Sequence, residues 1–271
     1  MRIERAIVAT EGTPMYSECW PLVAKAWLNL GVTPVVANIG NTSIDTTVGE
    51  CLNFEEIPGV PSGFVSQVIR MIVPSFFPND VCILSDIDMV PMRKSYFKKE
   101  LEQYNEDSIL VLTSDAYKVD YRYPVCYIVA KGILFQELIG LKDTKEDTII
   151  KFIQELYNLN LGWDTDELYL GKCIKDYSLR GRVHFLNRFS WEDSNRYPRL
   201  DRAHWKISRR FFIKNKYVDC HLLRPPSEYK NELQLVNLFV ANNNNVYIAI
   251  IKYSLFKVVN KLITIKSKLF L

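Results

Sequence analysis

The sequence predicts an α/β fold with a single, mostly parallel central sheet flanked by helices, and three observations carry the prediction. Short apolar runs recur along the 271 residues, each bounded by turn-forming residues, as strands buried on both faces do. Between them lie longer stretches of helical period. One run, Val81–Leu84 (VCIL), leads directly into Ser85-Asp86-Ile87-Asp88. It therefore delivers two acids to the carboxyl end of a strand, where open α/β sheets place their ligands.

Taken in order, Arg5–Thr10 (RAIVAT) reads as the first strand, followed by the polar loop Glu11–Tyr16. In Cys19–Leu30 the residues Trp20, Val23, Ala24, Trp27 and Leu28 recur at helical spacings, and Gly31 suits the helix end. Thr33–Asn38 is a second strand, and Ile39–Pro61 a loop with room for one short strand. Ser62 is placed to cap a helix that Pro74 stops near Ile72, with Gln67 and Arg70 on one face. Beyond the acid pair, Ser95–Tyr104 reads as a charged surface helix, Ser108–Leu112 and Pro124–Ala130 as buried strands, and Gly132–Leu141 and Glu146–Leu159 as helices. Trp163–Glu167 is an acidic turn in which Asp164 or Thr165 caps a helix Asp166–Ile174. Gly181–Leu186 and Tyr217–Leu222 are the last strands. The basic loop between them, Asn187–Lys216, suits either a lid over a phosphorylated ligand or a solvated face.

Composition narrows the class. An apolar fraction of 48% suits a globular core in one α/β domain, with or without an appendage. The net charge of +3 is too small to argue for nucleic acid, and five lysines with no acid fall in Val246–Leu271. The chain accordingly divides into a catalytic domain, 1–241, and a basic apolar tail, 242–271. On a helical wheel Ser254, Lys257, Asn260, Lys261, Thr264 and Lys268 share one side, with Lys252 and Lys266 off it, which suits either an anionic membrane surface or packing on the core. The six cysteines contain no CxxC pair, so a reduced chain is expected rather than a disulfide frame or zinc cluster. With no leader-like run at the N-terminus and no spanning segment, the expected location is cytoplasmic, with peripheral contact at the cytoplasmic membrane face through the tail.

Carboxylates as close as Asp86 and Asp88 repel unless a cation or a proton intervenes. Hard oxygen donors suit Mn²⁺ or Mg²⁺, which also bridge phosphates. His221, late in a strand, is as suited to ligation as to packing; His184 reads as core, and His204 as facing an acceptor or solvent. Asp115, at another strand end, suits acceptor hydroxyls or a turn.

In the order and spacing of these features, Met1–Tyr229 resembles the DxD glycosyltransferases of the GT-A fold. The layout is most similar to the retaining galactosyltransferases of glycosyltransferase family 8 and to the small GT-A domains of large algal viruses. The resemblance implies a nucleotide loop of Ala9, Thr10 and Glu11. It implies metal ligation of Mn²⁺ or Mg²⁺ by Asp86, Asp88 and His221, and donor contacts from Arg70, Ile87 and Arg224. It places Asp166 and Glu167, the expected catalytic residues together with Arg70, beside the sugar of a nucleotide-sugar donor, a UDP-sugar by the same likeness. It further implies transfer to a glycan or glycolipid acceptor with retention of configuration. Two departures stand out: the family usually has Asp-Gln where this chain has Asp166-Glu167, and Lys-Pro-Trp where it has Arg224-Pro225-Pro226. Three other readings stand beside it. A haloacid-dehalogenase-type phosphatase would use Asp86 as nucleophile and Asp88 as acid, with Thr113 or Ser114, Lys131 and Asp164 or Asp166 completing its set. The others are a nucleotidyltransferase and a non-catalytic nucleotide-sugar-binding module.

Overall fold

A computed structural model of the chain describes residues 1–117, 119, 121–178, 181–188 and 197–269, the stretch 262–269 by its backbone alone. The strands are β1 (Arg5–Thr10), β2 (Thr33–Ile39), β3 (Glu50–Phe54), β4 (Val81–Leu84), β5 (Met89–Pro91), β6 (Ile109–Val111), β7 (Ile128–Lys131), β8 (Val183–Phe185) and β9 (Asp219–His221). Seven form one sheet in the order β3-β2-β1-β4-β7-β6-β8, and β5 pairs with β9 in a small second sheet. β1, β2, β3 and β4 are parallel neighbours, as are β6 and β8, while β7 runs antiparallel between β4 and β6.

Alternation along each strand splits the core between the two sheet faces. Ala6, Ile83 and Val129 join one apolar cluster with Val23, Ala26 and Trp27 of helix Trp20–Asn29. Ile7, Cys82, Leu84 and Ile128 join the other with Val65, Val68, Ile69 and Ile72 of helix Ser62–Ile72. A helix absent from the sequence reading, Lys230–Ala241, buries Leu233, Val236, Phe239 and Val240 in the first cluster. All six cysteines are free thiols.

Several expectations need correction. Ser95–Tyr104 is not a surface helix. It is a short helix, Lys94–Phe97, and a 3₁₀ turn, Lys99–Leu101, and Tyr96, Phe97 and Leu101 sink into the core. Ser62 does not cap its helix: Pro61 holds that position, and the Ser62 hydroxyl donates to Glu56 Oε1 at 3.2 Å. The next site helix runs Thr165–Ser178, so Thr165 is its first residue rather than its cap, with its hydroxyl donating to the Gly162 carbonyl at 2.7 Å, and Asp164 is the residue just before it. His184 is exposed rather than core, because β8 is an edge strand, and it packs on the Tyr104 ring.

The basic loop is read in part, since 189–196 lie outside the described residues. Residues 197–201 run beside β9: Val218 donates its backbone N–H to Pro198, Leu200 to Asp219, and His221 to Leu200. A buried ion pair locks this segment. Arg199 Nε and Nη2 donate to the two oxygens of Asp219 at 2.7 and 2.9 Å, and the Tyr127 hydroxyl adds a bond to Asp219 Oδ2 at 3.0 Å. Asp219 is fully buried, so removing its partner strands a charge. Arg199→Ala and Asp219→Ala are each expected to lower the unfolding free energy by about 3–5 kcal/mol. In urea titrations the double variant should lose less than the sum of the two; strict additivity would show that the pair does not couple.

The tail forms a helix, Val246–Leu269, after the turn Asn242–Asn245. Its first turns pack on the body through Val246, Ala249, Ile250 and Tyr253. Tyr247, Ile248, Ile251, Leu255, Val258 and Val259 form an exposed apolar stripe. Ser254, Lys257, Asn260 and Lys261 lie on another side by helical period. The side chains of Thr264 and Lys268, assigned to the same side from sequence, lie outside the described residues. Among the described residues, no helix is long and apolar enough to cross a membrane.

Candidate active site

β1 and β4 are parallel neighbours, so both chain segments leave the sheet at the same edge, and Ser85 extends the ladder by donating to the Ile7 carbonyl. Ala9 and Glu11 thereby meet Asp86, Ile87 and Asp88 in one cleft of about 300 Å³. Arg70, Asp166, Glu167, His221 and Arg224 line the same cleft. Every site residue expected from sequence is therefore gathered there except Thr10. That side chain is buried and accepts the Gly12 N–H at 3.0 Å, so it shapes the turn instead of facing the cleft.

Asp88 is held by the small sheet. The antiparallel register sets Met89 against His221, and Leu222 donates to the Asp88 carbonyl at 2.9 Å. This brings His221 Nε2 to 3.3 Å from Asp88 Oδ2. The same oxygen is 2.6 Å from Arg202 Nη1 and 3.2 Å from Arg224 Nη1, and Asp88 is only 4% exposed. Burial pushes its carboxyl up, but the hydrogen bond and charge of His221, with Arg202 and Arg224, more than offset that and hold it at about 2. Arg224 also lies over the Tyr16 ring at 4.4 Å.

A second charge system faces the first. Arg70, in the last turn of helix Ser62–Ile72, bonds Asp86 Oδ1 through Nη1 and Asp166 Oδ2 through Nη2, the latter at 2.8 Å. Glu167 accepts from the Tyr117 hydroxyl at 2.7 Å and from Arg122 Nε at 2.8 Å, and Arg122 Nη2 also reaches Asp164 at 2.9 Å. Gly171 makes this bridge possible: a Cβ there would lie 1.9 Å from the Tyr121 carbonyl oxygen, so only glycine lets the loop before Arg122 lie on the helix. Burial raises the Glu167 carboxyl against these bonds. A second hollow, of about 260 Å³, shares Arg70, Asp86, Asp166, Glu167 and His221 and adds Tyr117, Arg199 and Asp201.

The two ends differ in charge. Asp88 meets two arginines, a positive balance. Asp86 and Asp166 share one arginine, and Asp164 and Glu167 share another, a negative balance at each. Asp88 and His221 are spaced like neighbouring ligands of one octahedral cation, which at bond lengths of ~2.1 Å lie about 3 Å apart. Asp86 turns to Arg70, and among the described residues no three His, Cys, Asp or Glu side chains are grouped for metal binding. Of the three expected ligands, Asp88 and His221 are therefore placed to fit one hard divalent cation, while Asp86 is engaged by Arg70.

Gln67 and Arg202 also line the cleft without having been assigned a role from sequence. Gln67 shares the Arg70 helix face; its amide donates to the Trp163 carbonyl at 3.1 Å, and its buried Oε1 has no partner among the described residues. Arg202 was one of many basic residues in a loop and carried no distinguishing signal. Two residues of the phosphatase reading, Lys131 and Thr113, do not join its aspartates in the cleft. Lys131 is in register with Val81, at the end of β4 opposite the acids, and pairs with Glu106, while Thr113 is buried and bonded to the Cys126 carbonyl.

Burial lifts the Asp166 carboxyl above its ordinary value, and the Arg70 charge opposes the lift. The folded chain thus keeps this proton to higher pH than the unfolded chain does. The resulting stability is full below the ordinary carboxylate range and is lost as pH rises through the raised folded value. Arg70→Met removes the opposing charge, so Asp166 should titrate at still higher pH in ¹³C carboxyl NMR; an unchanged or lower midpoint would contradict the coupling.

No protein-family profile matches the chain, and no curated protein does either. Solved structures with similar folds include the galactosyltransferase LgtC with donor and acceptor sugar analogues, at 10% identity and a TM-score of 0.43, covering 80% of this chain and 86% of that one. The glycosyltransferase GlyE of Streptococcus pneumoniae is 15% identical with a TM-score of 0.40, covering 64% of this chain; the match spans 44% of GlyE. A nucleotidyl transferase from Methanothermobacter is 14% identical with a TM-score of 0.34, covering 66% of this chain and 99% of that one. None of these reaches a TM-score of 0.5, and none assigns an activity to this chain.

Proposed function

We propose that the chain is a GT-A-type glycosyltransferase that moves a sugar from a nucleoside-diphosphate sugar, a UDP-sugar in the first instance, to a glycan or lipid-linked glycan acceptor. The observation that carries this reading is the polarity of the cleft: cationic around Asp88, anionic around Asp86, Asp166 and Glu167. A diphosphate suits the first end, and the hydroxyls of a sugar suit the second, where carboxylates and the unpartnered Gln67 Oε1 accept hydrogen bonds. A bound Mn²⁺ or Mg²⁺, held by Asp88 and His221, supplies positive charge to the departing diphosphate.

In the reaction the bond from the anomeric carbon to the phosphate oxygen breaks, and the electron pair leaves with the diphosphate. Arg224 stabilises that charge. The acceptor hydroxyl bonds to the anomeric carbon and loses its proton to the leaving phosphate oxygen, on the same face of the sugar if configuration is retained. Asp166 and Glu167 are both engaged, by Arg70 and by Tyr117 and Arg122. Their role is to offset positive charge at the oxocarbenium-like centre rather than to attack it. The second hollow, which shares Arg70 and Glu167 with the cleft and adds Tyr117 and Asp201, suits the acceptor.

Calorimetry with UDP, UDP-sugars and GDP-sugars tests the reading. UDP should bind, Mn²⁺ should tighten it at least about tenfold, and Asp88→Asn should remove that gain. Absence of binding by every nucleotide sugar, together with phosphorylation of Asp86 by a phosphomonoester, would replace the transferase with a phosphatase.

The tail supports a partner of its own. Its exposed stripe, Ile251, Leu255, Val258 and Val259, is accompanied by Lys252, Lys257 and Lys261, with no acid from Val246 onward. We propose that it lies on an anionic lipid surface, each lysine near the surface contributing about 1 kcal/mol. Vesicles containing phosphatidylserine should co-sediment the chain in a salt-sensitive way, and a Leu255→Asp, Val258→Asp variant should stay in solution. Equal sedimentation of both would remove the membrane contact.

A further inference from the structure

We propose that Arg202 is a second diphosphate-binding arginine, which in this structure rests on Asp88 and competes with a divalent cation for that carboxylate oxygen. The proposal rests on the transferase reading for its ligand, but not for the competition, which the geometry alone carries. Arg202 Nη1 is 2.6 Å from Asp88 Oδ2, closer than either His221 or Arg224. This is the oxygen that faces His221, and therefore the one a cation shared with His221 would need.

The placement of Arg202 is built into the fold. It opens the 3₁₀ turn Arg202–His204, whose start is capped by Asp201 Oδ1 accepting from the Ala203 N–H at 2.8 Å. Immediately before it, Leu200 is locked to β9 on both sides, and Arg199 is clamped by buried Asp219. The Arg202 backbone is thus fixed beside the cleft, while its side chain remains 32% exposed and lines it. Asp88 is the only acceptor of the Arg202 guanidinium among the described residues, so most of its five N–H donors are uncommitted. A planar fork with free donors is suited to paired phosphate oxygens.

The chemistry follows from the charge count. One buried carboxylate already has two arginines on one oxygen. Arg202 would have to leave that oxygen for Asp88 to hold a divalent cation, and its guanidinium would then be free to bind phosphate oxygens. Without a cation, Arg202 and Arg224 together still offer two positive groups to a diphosphate. Nucleotide binding is therefore expected to persist in chelator.

The test uses the full chain and two probes. Mn²⁺ alone is titrated and the free ion read by electron paramagnetic resonance; UDP is titrated by calorimetry in EDTA. Arg202→Gln should bind Mn²⁺ severalfold more tightly than the native chain, because Asp88 is released. In EDTA it should bind UDP about tenfold or more weakly, the loss expected for one charge-assisted contact. Arg202→Lys, which keeps the charge without the fork, should fall between, and Lys206→Gln, an exposed residue of the same loop, should match the native chain. Unchanged Mn²⁺ affinity in Arg202→Gln overturns the competition, and unchanged UDP affinity in EDTA overturns the diphosphate role. If the native chain binds no UDP under any condition, the transferase reading fails with the diphosphate role, while the Mn²⁺ titration still decides the competition.

Discussion

Burying the Asp88 carboxylate requires cations around it, and much of the site is arranged to meet that requirement. An ionised carboxylate almost removed from water is tolerated only when paired and hydrogen-bonded. The pairing comes from a part of the chain more than a hundred residues away in sequence: β9 brings His221, the turn after it brings Arg224, and the strand-like segment beside it brings Arg202. The Arg199–Asp219 pair, itself buried, keeps that segment in place. The small sheet β5-β9 is therefore the device that closes one end of the cleft over the acid-bearing strand.

The other end follows a different principle. Arg70 sits between half-buried Asp86 and buried Asp166 and offsets the repulsion between the two acids. Arg122 does the same for Asp164 and Glu167. Neither arginine fully neutralises its pair, so a negative balance remains where hydroxyl groups can be bound. A cleft with one cationic and one anionic end would orient a ligand that carries phosphate at one end and hydroxyls at the other, as the proposed donor does.

Some of this was legible in the sequence. Val81–Leu84 announced a strand buried on both faces, and the acids after it announced a strand-end site, because both signals are local. Arg70 came from a resemblance, and helical period showed only that it shares a face with Gln67. His221 and Arg224 were singled out through their spacing in a resemblance, since strand pairing over such a distance leaves no local trace. Arg202 was illegible: in a run of basic residues nothing marks the one that turns inward, and only the register of residues 197–201 on β9 decides it. The same limit explains the direction of β7, because an apolar run carries no sign of which way it crosses the sheet. Ser95–Tyr104 was misread since its many lysines and glutamates outweighed Tyr96, Phe97 and Leu101, the residues that packing selects.

The central claim is that this cleft breaks the bond between an anomeric carbon and a diphosphate. ³¹P NMR of the chain incubated with a UDP-sugar and Mn²⁺ reads that bond directly. The two UDP resonances should appear slowly, and Asp88→Asn should abolish them. Release of inorganic phosphate or UMP in place of UDP, or no change in the donor while UDP itself binds, would contradict that claim.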